Sequence, residues 1–355
     1  MQLQITSPGM LTTVQDLGRS HYRASGLPAA GAMDAGALRL ANIMVGNPQS
    51  TAGLEITLIG PGIRFSGEGV VALAGGDLGA QLNGWPLSAV GSFTVADGDR
   101  LSFAAPRSGC RSYLAVQGGF DLPDIMGSYS TYLRGAFGGY QGRALRSGDI
   151  LATLPTAANQ SSLWVGPLPP HLAEQIARPF PISSQFPTDC IPTARVILGP
   201  QDDYFDQENI TLFLNTTWQV SNEADRMGYR LSGATLKHTD KKEIVSDGIL
   251  CGAIQVPAQG IPIVLLADAQ TAGGYAKIAT VIGSDLRIFG QLQPGDEVRF
   301  TSVSWEAALQ ALHDDNEYLG KVAQWLAENA AATPVKYAVS LGGQSYKVTV
   351  YQHIT

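Results

Sequence analysis

Apolar positions along this chain fall mostly into short β-branched runs bounded by Gly, Pro or Asp, which is the patterning of strands. Residues 2–6 alternate, and Ser7-Pro8-Gly9 turns them back; Thr12 to Arg19 then reads as short and polar. Strands are expected over Gly53–Ile59, Ile63–Phe65, Val70–Ala74, Phe93–Val95, Arg100–Phe103 and Arg111–Val116. A second set follows, beginning at Arg195 and including Ala253–Val256, Ile263–Ala267 and Ile278–Ile282. One punctuation recurs in Asp97-Gly98-Asp99-Arg100-Leu101, Ser147-Gly148-Asp149-Ile150-Leu151 and Pro294-Gly295-Asp296-Glu297-Val298. Each copy is a tight Gly-Asp turn delivering an apolar strand, as closed or nearly closed barrels require.

The period changes in two places. Asp34 is placed to cap a helix carrying Leu38, Ala41 and Val45 on one face, stopped by Gly46-Asn47-Pro48. Arg39 and Asn42 are neighbours on another face of it. From Ser304 to Asn329 a second helix is predicted, capped by Ser304 and striped with Leu309, Leu312, Leu319, Val322 and Leu326. Val335–Leu341 and Tyr346–Tyr351 alternate around Gly342-Gly343 as a β-hairpin. Residues 155–192, rich in Pro, Ser and Ala, read as a linker with one short helix around His171–Ala177. The expected organisation is a first β-barrel over 1–160, a linker over 161–192, a second β-barrel over 193–303, a helix over 304–332 and a hairpin tail over 333–355. A faint echo, Ala32-Met33-Asp34 with Arg39-Leu40 against Asp225-Arg226-Met227 with Arg230-Leu231, suggests two related barrels.

Composition narrows the function classes. A net charge of −7 on 355 residues, with no Lys/Arg run, argues against a nucleic-acid binder but leaves room for a local arginine cluster. The 41 glycines and 20 prolines suit a turn-rich β protein. No apolar run approaches the roughly 20 residues of a membrane span, and the first residues lack a secretion pattern, so a cytoplasmic location is expected. The three cysteines and five histidines make no metal or disulfide pattern. Nucleophile elbows and P-loops are absent from the sequence. What remains is Asp, Arg, Gln, Tyr and Gly in loops. Chief among these are Ser128 to Arg143 and the corner Asp268-Ala269-Gln270-Thr271-Ala272-Gly273-Gly274-Tyr275 after a buried strand. Such groups suit holding a polar substrate and stabilising charge as it develops.

Several of these segments carry a family resemblance. They are Gly31-Ala32-Met33-Asp34, Leu38-Arg39-Leu40-Ala41-Asn42, Val45-Gly46-Asn47-Pro48 and Leu54-Glu55-Ile56-Thr57 in the first part. Thr131-Tyr132-Leu133-Arg134-Gly135, Gly138-Gly139 and Gly142-Arg143 continue it, with Gly199-Pro200-Gln201-Asp202-Asp203 and Asp225-Arg226-Met227-Gly228-Tyr229-Arg230. Ala253-Ile254-Gln255-Val256-Pro257, Leu265-Leu266-Ala267-Asp268, Gln270-Thr271 and Gly273-Gly274-Tyr275 complete it. Together they resemble the allophanate hydrolase subunit 2-like family, whose members are also called 5-oxoprolinase C subunits or Kip-inhibitor antagonists.

The resemblance spans roughly residues 3–303 in order. It implies two cyclophilin-like β-barrels, the architecture of the urea carboxylase carboxyltransferase part. It also implies partner subunits of B type (Kip-inhibitor-like) and A type, and ATP-driven opening of 5-oxoproline to glutamate. The tail from Pro334 is faintly similar to the entry of a biotin carrier domain but has no Met-Lys-Met, so biotin is not expected on this chain.

From their placement in polar loops, Asp34, Arg134, Asp202, Arg226 and Asp268 are expected to act in catalysis. Arg39, Asn42, Tyr132, Tyr140, Gln141, Arg143, Arg230, Gln255, Thr271, Gly273, Gly274 and Tyr275 are expected to hold the substrate. The rival readings are a biotin-dependent carboxyltransferase acting on urea or a relative, and a non-catalytic regulator binding a Kip-inhibitor-like partner.

Overall fold

A computed structural model describes residues 1–155, 163–176, 191–239, 244–330, 335–341 and 344–350, the last two segments and 174–176 as backbone alone. Strands dominate it. Among the described residues, five α-helices join them: α1 (Ala35–Met44), α2 (Pro170–Ile176), α3 (Gln207–Asn215), α4 (Leu286–Gln291) and α5 (Trp305–Glu328).

The first unit is a pair of six-stranded sheets. One runs Ile150–Ala152, Gln2–Ser7, Gly62–Ser66, Arg100–Phe103, Ala80–Leu82, Trp85–Pro86. The other runs Gly166–Pro167, Gly91–Val95, Gly69–Asp77, Ser108–Val116, Gly53–Thr57, Leu11–Gln15. Leu3, Ile5, Leu54, Ile56, Phe65, Leu73 and Leu114 form the core of this unit. Gln2–Ser7 has one wet face and alternates, whereas Gly53–Thr57 is buried at every residue. The difference is α1, whose Leu38 and Leu40 join Ala72, Tyr113 and Ala115 of that sheet in a second core. A side chain at Gly53 would meet Leu38 at 2.8 Å, so glycine is what lets the helix lie this close. The Asp34 side chain caps α1 by accepting from the Ala37 N–H at 2.9 Å, as its spacing predicts.

The second unit closes on itself. Its order is Thr193–Leu198, Ala276–Val281, Ala253–Val256, Ile263–Leu265, Gly228–Ser232, Trp218–Ala224, Glu297–Ser302, and a parallel pairing of the last with the first completes the barrel. Trp218, Phe213, Phe289 and Phe300 belong to its core, the Phe213 and Phe300 rings stacked at 4.8 Å. Sequence periodicity does not single out α3 or α4. Both are short, and each helix owes its place to the aromatic it sends into the barrel core.

The three Gly-Asp turns share one construction. Gly98, Gly148 and Gly295 have φ of 89°, 92° and 94°. In each turn the following aspartate accepts a backbone N–H three residues earlier, from Ala96, Arg146 and Gln293 at 2.7, 2.7 and 2.9 Å. The turns are therefore interchangeable devices that start a strand. The 32–40 and 225–231 segments are not equivalent: one opens a helix, and the other is the corner between two barrel strands. Thr12 to Gln15, read as a polar stretch, lies in the strand Leu11–Gln15 with both threonines and Gln15 buried. Leu309 and Leu312 of the α5 stripe are exposed, while Leu319, Val322 and Leu326 pack under it. Val335–Leu341 pairs antiparallel with Gln344–Val350 as the alternation predicts. Most of the linker, 156–162 and 177–190, lies outside the described residues.

Candidate functional site

The arginines and carboxylates singled out in the sequence divide between two surroundings. The first is a dry cluster where the two units meet. Glu55, from the buried strand Gly53–Thr57, accepts from the Met33 N–H and the Tyr113 hydroxyl, both at 2.8 Å. Its other oxygen takes a hydrogen bond from Arg226 and lies 3.8 Å from Arg111 Nε. Arg226 also grips Asp268 through two bonds of 3.0 and 3.1 Å, and donates to the Gly31 carbonyl at 2.6 Å. Arg111 reaches the Tyr229 hydroxyl at 3.0 Å and the Gly290 carbonyl at 2.8 Å. Gln291 donates to Asp34 at 2.8 Å and accepts from the Arg111 N–H at 3.0 Å.

All these side chains are buried. Burial pushes the Glu55 carboxyl up, but the Arg226 and Arg111 guanidiniums outweigh it and hold the group below the usual carboxylate range. For Asp268 and Asp34 burial wins and raises the carboxyl. Burial pushes the Arg226 guanidinium down, but the Glu55 and Asp268 carboxylates outweigh it and hold the group above its ordinary value. The bonds cross from one unit to the other, so the cluster fastens them together. Arg226 and Asp268, expected at a catalytic centre, belong to this fastening and do not line the hollow described next.

The second surrounding is a hollow of about 510 Å³ at the rim of the closed barrel. Arg134 from the first unit faces Asn222, Glu223, Asp225, Arg230, Gln255, Gln270 and Tyr275 across it. Arg134 lies 3.5 Å from Asp225, and Arg230 donates to Glu223 at 2.7 Å. Both pairs are well exposed, so water screens them and each side chain is free to exchange its partner for a ligand. Gln255 differs. It is 2% exposed and its side-chain nitrogen has no hydrogen-bond partner. A Cβ at Gly273 would stand 2.9 Å from that nitrogen, so glycine there keeps the amide uncrowded. That nitrogen is out of solvent, so donating to a ligand oxygen would require the amide to turn towards the hollow that Gln255 lines.

The loop supplying Arg134 is pinned from beneath. Asp16 accepts from the Ser128 hydroxyl at 2.7 Å and the Tyr129 N–H at 2.7 Å. Buried Arg19 donates to Ser130 at 2.5 Å and lies 4.9 Å over the Phe137 ring.

Four of the expected residues thus meet in the hollow: Arg134, Arg230, Gln255 and Tyr275. The others lie elsewhere. Arg143 is engaged by Asp149 in two bonds of 2.7 and 2.9 Å, and it covers the Tyr140 ring and bonds Gln141. Tyr132 packs edge-on against Phe137. Asn42, fully buried, ties the Thr51 carbonyl to α1. Arg39 bonds Gln49 and Asn316. Asp202 opens a single 3₁₀ turn, and the Thr271 carbonyl accepts from Ile249. Gly273 pairs with Asp247, and the Gly274 carbonyl accepts from Ile244. Glu55, Arg111, Tyr113 and Gln291 are absent from the expected set. The available signal was the ionic Glu55 inside the apolar run Leu54-Glu55-Ile56.

Comparison with known proteins agrees with this architecture. The family model of the carboxyltransferase domain, subdomain A and B, matches residues 25–302. The 5-oxoprolinase C subunit of Escherichia coli (strain K12) is 38% identical over 340 residues, covering 92% of this chain and 99% of that protein. The urea amidolyase of Lachancea kluyveri is 35% identical over 86% of this chain, which spans only 17% of that protein. The solved structure of the K. lactis urea amidolyase superposes with a TM-score of 0.81 at 31% identity, covering 90% of this chain and 20% of that one. The chain therefore belongs to the family of carboxyltransferase domains built from subdomains A and B, alongside the 5-oxoprolinase C subunits.

Proposed function

We propose that this chain is the C subunit of a multi-subunit 5-oxoprolinase. With B-type and A-type partners it uses ATP to open the cyclic amide 5-oxoproline to glutamate. The observation that supports this reading most is end-to-end likeness to a 5-oxoprolinase C subunit, 99% of whose length is covered. A lactam carbonyl resists water, so phosphorylation of its oxygen by ATP activates the ring carbon. Water then attacks that carbon, the C–N bond breaks as the nitrogen takes a proton, and the acyl phosphate left behind is hydrolysed by a second water to the carboxylate and free phosphate.

The charges lining the hollow balance, with Arg134 and Arg230 against Glu223 and Asp225. A net-neutral hollow fits a compact amide carrying one carboxylate better than a triphosphate. The substrate carboxylate would take Arg134 or Arg230 from its present partner, and the free Gln255 amide would donate to the lactam oxygen as charge builds there. ATP would then be held by a partner subunit.

The test is reconstitution. The chain, co-purified with its A- and B-type partners, is given 5-oxoproline with and without ATP, and glutamate is measured. ATP-dependent glutamate release supports the reading. An assembled complex that releases none, but carboxylates urea with a biotinylated carrier, overturns it. That second outcome is the urea carboxylase reading, favoured by the match to the carboxyltransferase domain and by the K. lactis superposition.

A further inference from the structure

A second cavity, of about 240 Å³, lies where α1, the second unit and α5 come together. Its walls are largely apolar: Met33 from the first unit, Leu266 and Ala267 from the second, Leu312 and Leu319 from α5. Four charged side chains also line it. Asp34 has both oxygens occupied, by the Ala37 N–H and by Gln291, and Arg39 is engaged by Gln49 and Asn316. Asp315 sits on the α5 side, near enough to Arg39 to act on its charge. Arg287 is the fourth.

Two donors there have nothing to bond. The Ser284 side chain is 5% exposed and its hydroxyl has no partner. The buried Nε of Arg287, three residues along the chain, has none either. The adjacent Asp285 is not available to them, because Arg195 holds it through bonds of 2.9 and 2.7 Å. Ser284 and Arg287 line the cavity beside Leu266, Leu312 and Leu319, and two unsatisfied donors on neighbouring residues, one of them cationic, match a carboxylate attached to a hydrocarbon body.

We propose that this cavity is a second ligand site, separate from the hollow at the barrel rim, that takes a small carboxylic acid with Arg287 and Ser284 on its carboxylate. By the roughly 30 Å³ that a water occupies in the liquid, the space suits a molecule of about seven or eight heavy atoms. Its occupant touches both units and α5, so binding stabilises the docking of that helix and raises resistance to unfolding.

The experiment is thermal unfolding and calorimetric titration of the full chain with isovalerate, beside the uncharged isovaleramide of the same shape. Isovalerate should bind saturably and raise the melting temperature, and isovaleramide should do so at least about tenfold more weakly. Ser284→Ala should weaken isovalerate several-fold. Arg287→Lys, which keeps the charge and guards against misfolding, should weaken it at least about tenfold, because a lysine lacks the planar fork. Arg134→Ala, in the other hollow, should leave isovalerate affinity unchanged. No saturable binding, equal binding of acid and amide, or an unchanged affinity in folded Arg287→Lys would overturn the proposal. None of these readouts depends on oxoprolinase activity.

Discussion

The buried cluster around Glu55 and the open hollow around Gln255 are built from the same residue types, yet they do opposite work. In the cluster, Arg226 and Arg111 lie among Glu55, Asp268, Tyr113 and Tyr229, all out of water and bonded across the junction of the two units. In the hollow, Arg134 and Arg230 sit beside Asp225 and Glu223 in solvent. Desolvation makes the difference. A buried arginine cannot leave its carboxylate without leaving a charge uncompensated, whereas an exposed one exchanges partners at little cost. Arginine beside aspartate is thus a fastening in one setting and a ligand-ready pair in the other.

The comparison breaks first at the cluster. Replacing Arg226 by Ala leaves Glu55 and Asp268 buried without their cation, and should lower unfolding free energy by about 3–5 kcal/mol in urea denaturation. A loss near zero would show that the junction does not depend on it. Glu55→Gln should be similarly damaging at neutral pH, with a pH signature of its own. Because the folded Glu55 carboxyl is held below its ordinary value, its contribution is whole above about pH 4.3 and is lost as pH falls through the lower folded value. The gap between wild type and Glu55→Gln should therefore be constant at neutral pH and close in acid. Asp268 and Asp34 have the opposite sign. Their raised carboxyls favour folding most fully below the ordinary carboxylate range, and that contribution is lost as pH rises through the folded values.

The hollow should show the reverse pattern. Gln255→Leu removes the free amide without removing a protein hydrogen bond made by its nitrogen. It should lower kcat/KM of the reconstituted complex at least about tenfold, or about 1.4 kcal/mol, with little change in stability. Arg134→Ala is the smallest expected effect on the fold, within about 0.5 kcal/mol, since its pairing with Asp225 is exposed and 3.5 Å long. Its substrate KM should nonetheless rise. Unchanged kinetics in both variants, with the complex intact, would remove the hollow from consideration as the substrate site.

Much of the fold was legible because it follows local rules. The Gly-Asp turns, the Asp34 and Ser304 caps and the strand runs from Gly53 to Val116 depend on residues a few positions apart. The site was legible in part. Arg134 and Tyr275 lie in polar loops, whereas Arg230 and Gln255 are on the barrel strands Gly228–Ser232 and Ala253–Val256, and the four meet at the hollow. Arg143 belongs to the same loop as Arg134, but Asp149 is close enough along the chain to claim it. Arg226 and Asp268 carry equally polar sequence signals, and nothing local separates them from the residues that line the hollow.

By itself, the amino-acid sequence determined the Gly-Asp turns, the Asp34 and Ser304 caps and many of the strands, because those depend on backbone preferences and side chains within one turn of each other. Only the tertiary structure decided which arginines lose their water. Glu55 and Arg226 are 171 positions apart, and the energy of their pairing depends on what covers them rather than on their neighbours in the chain.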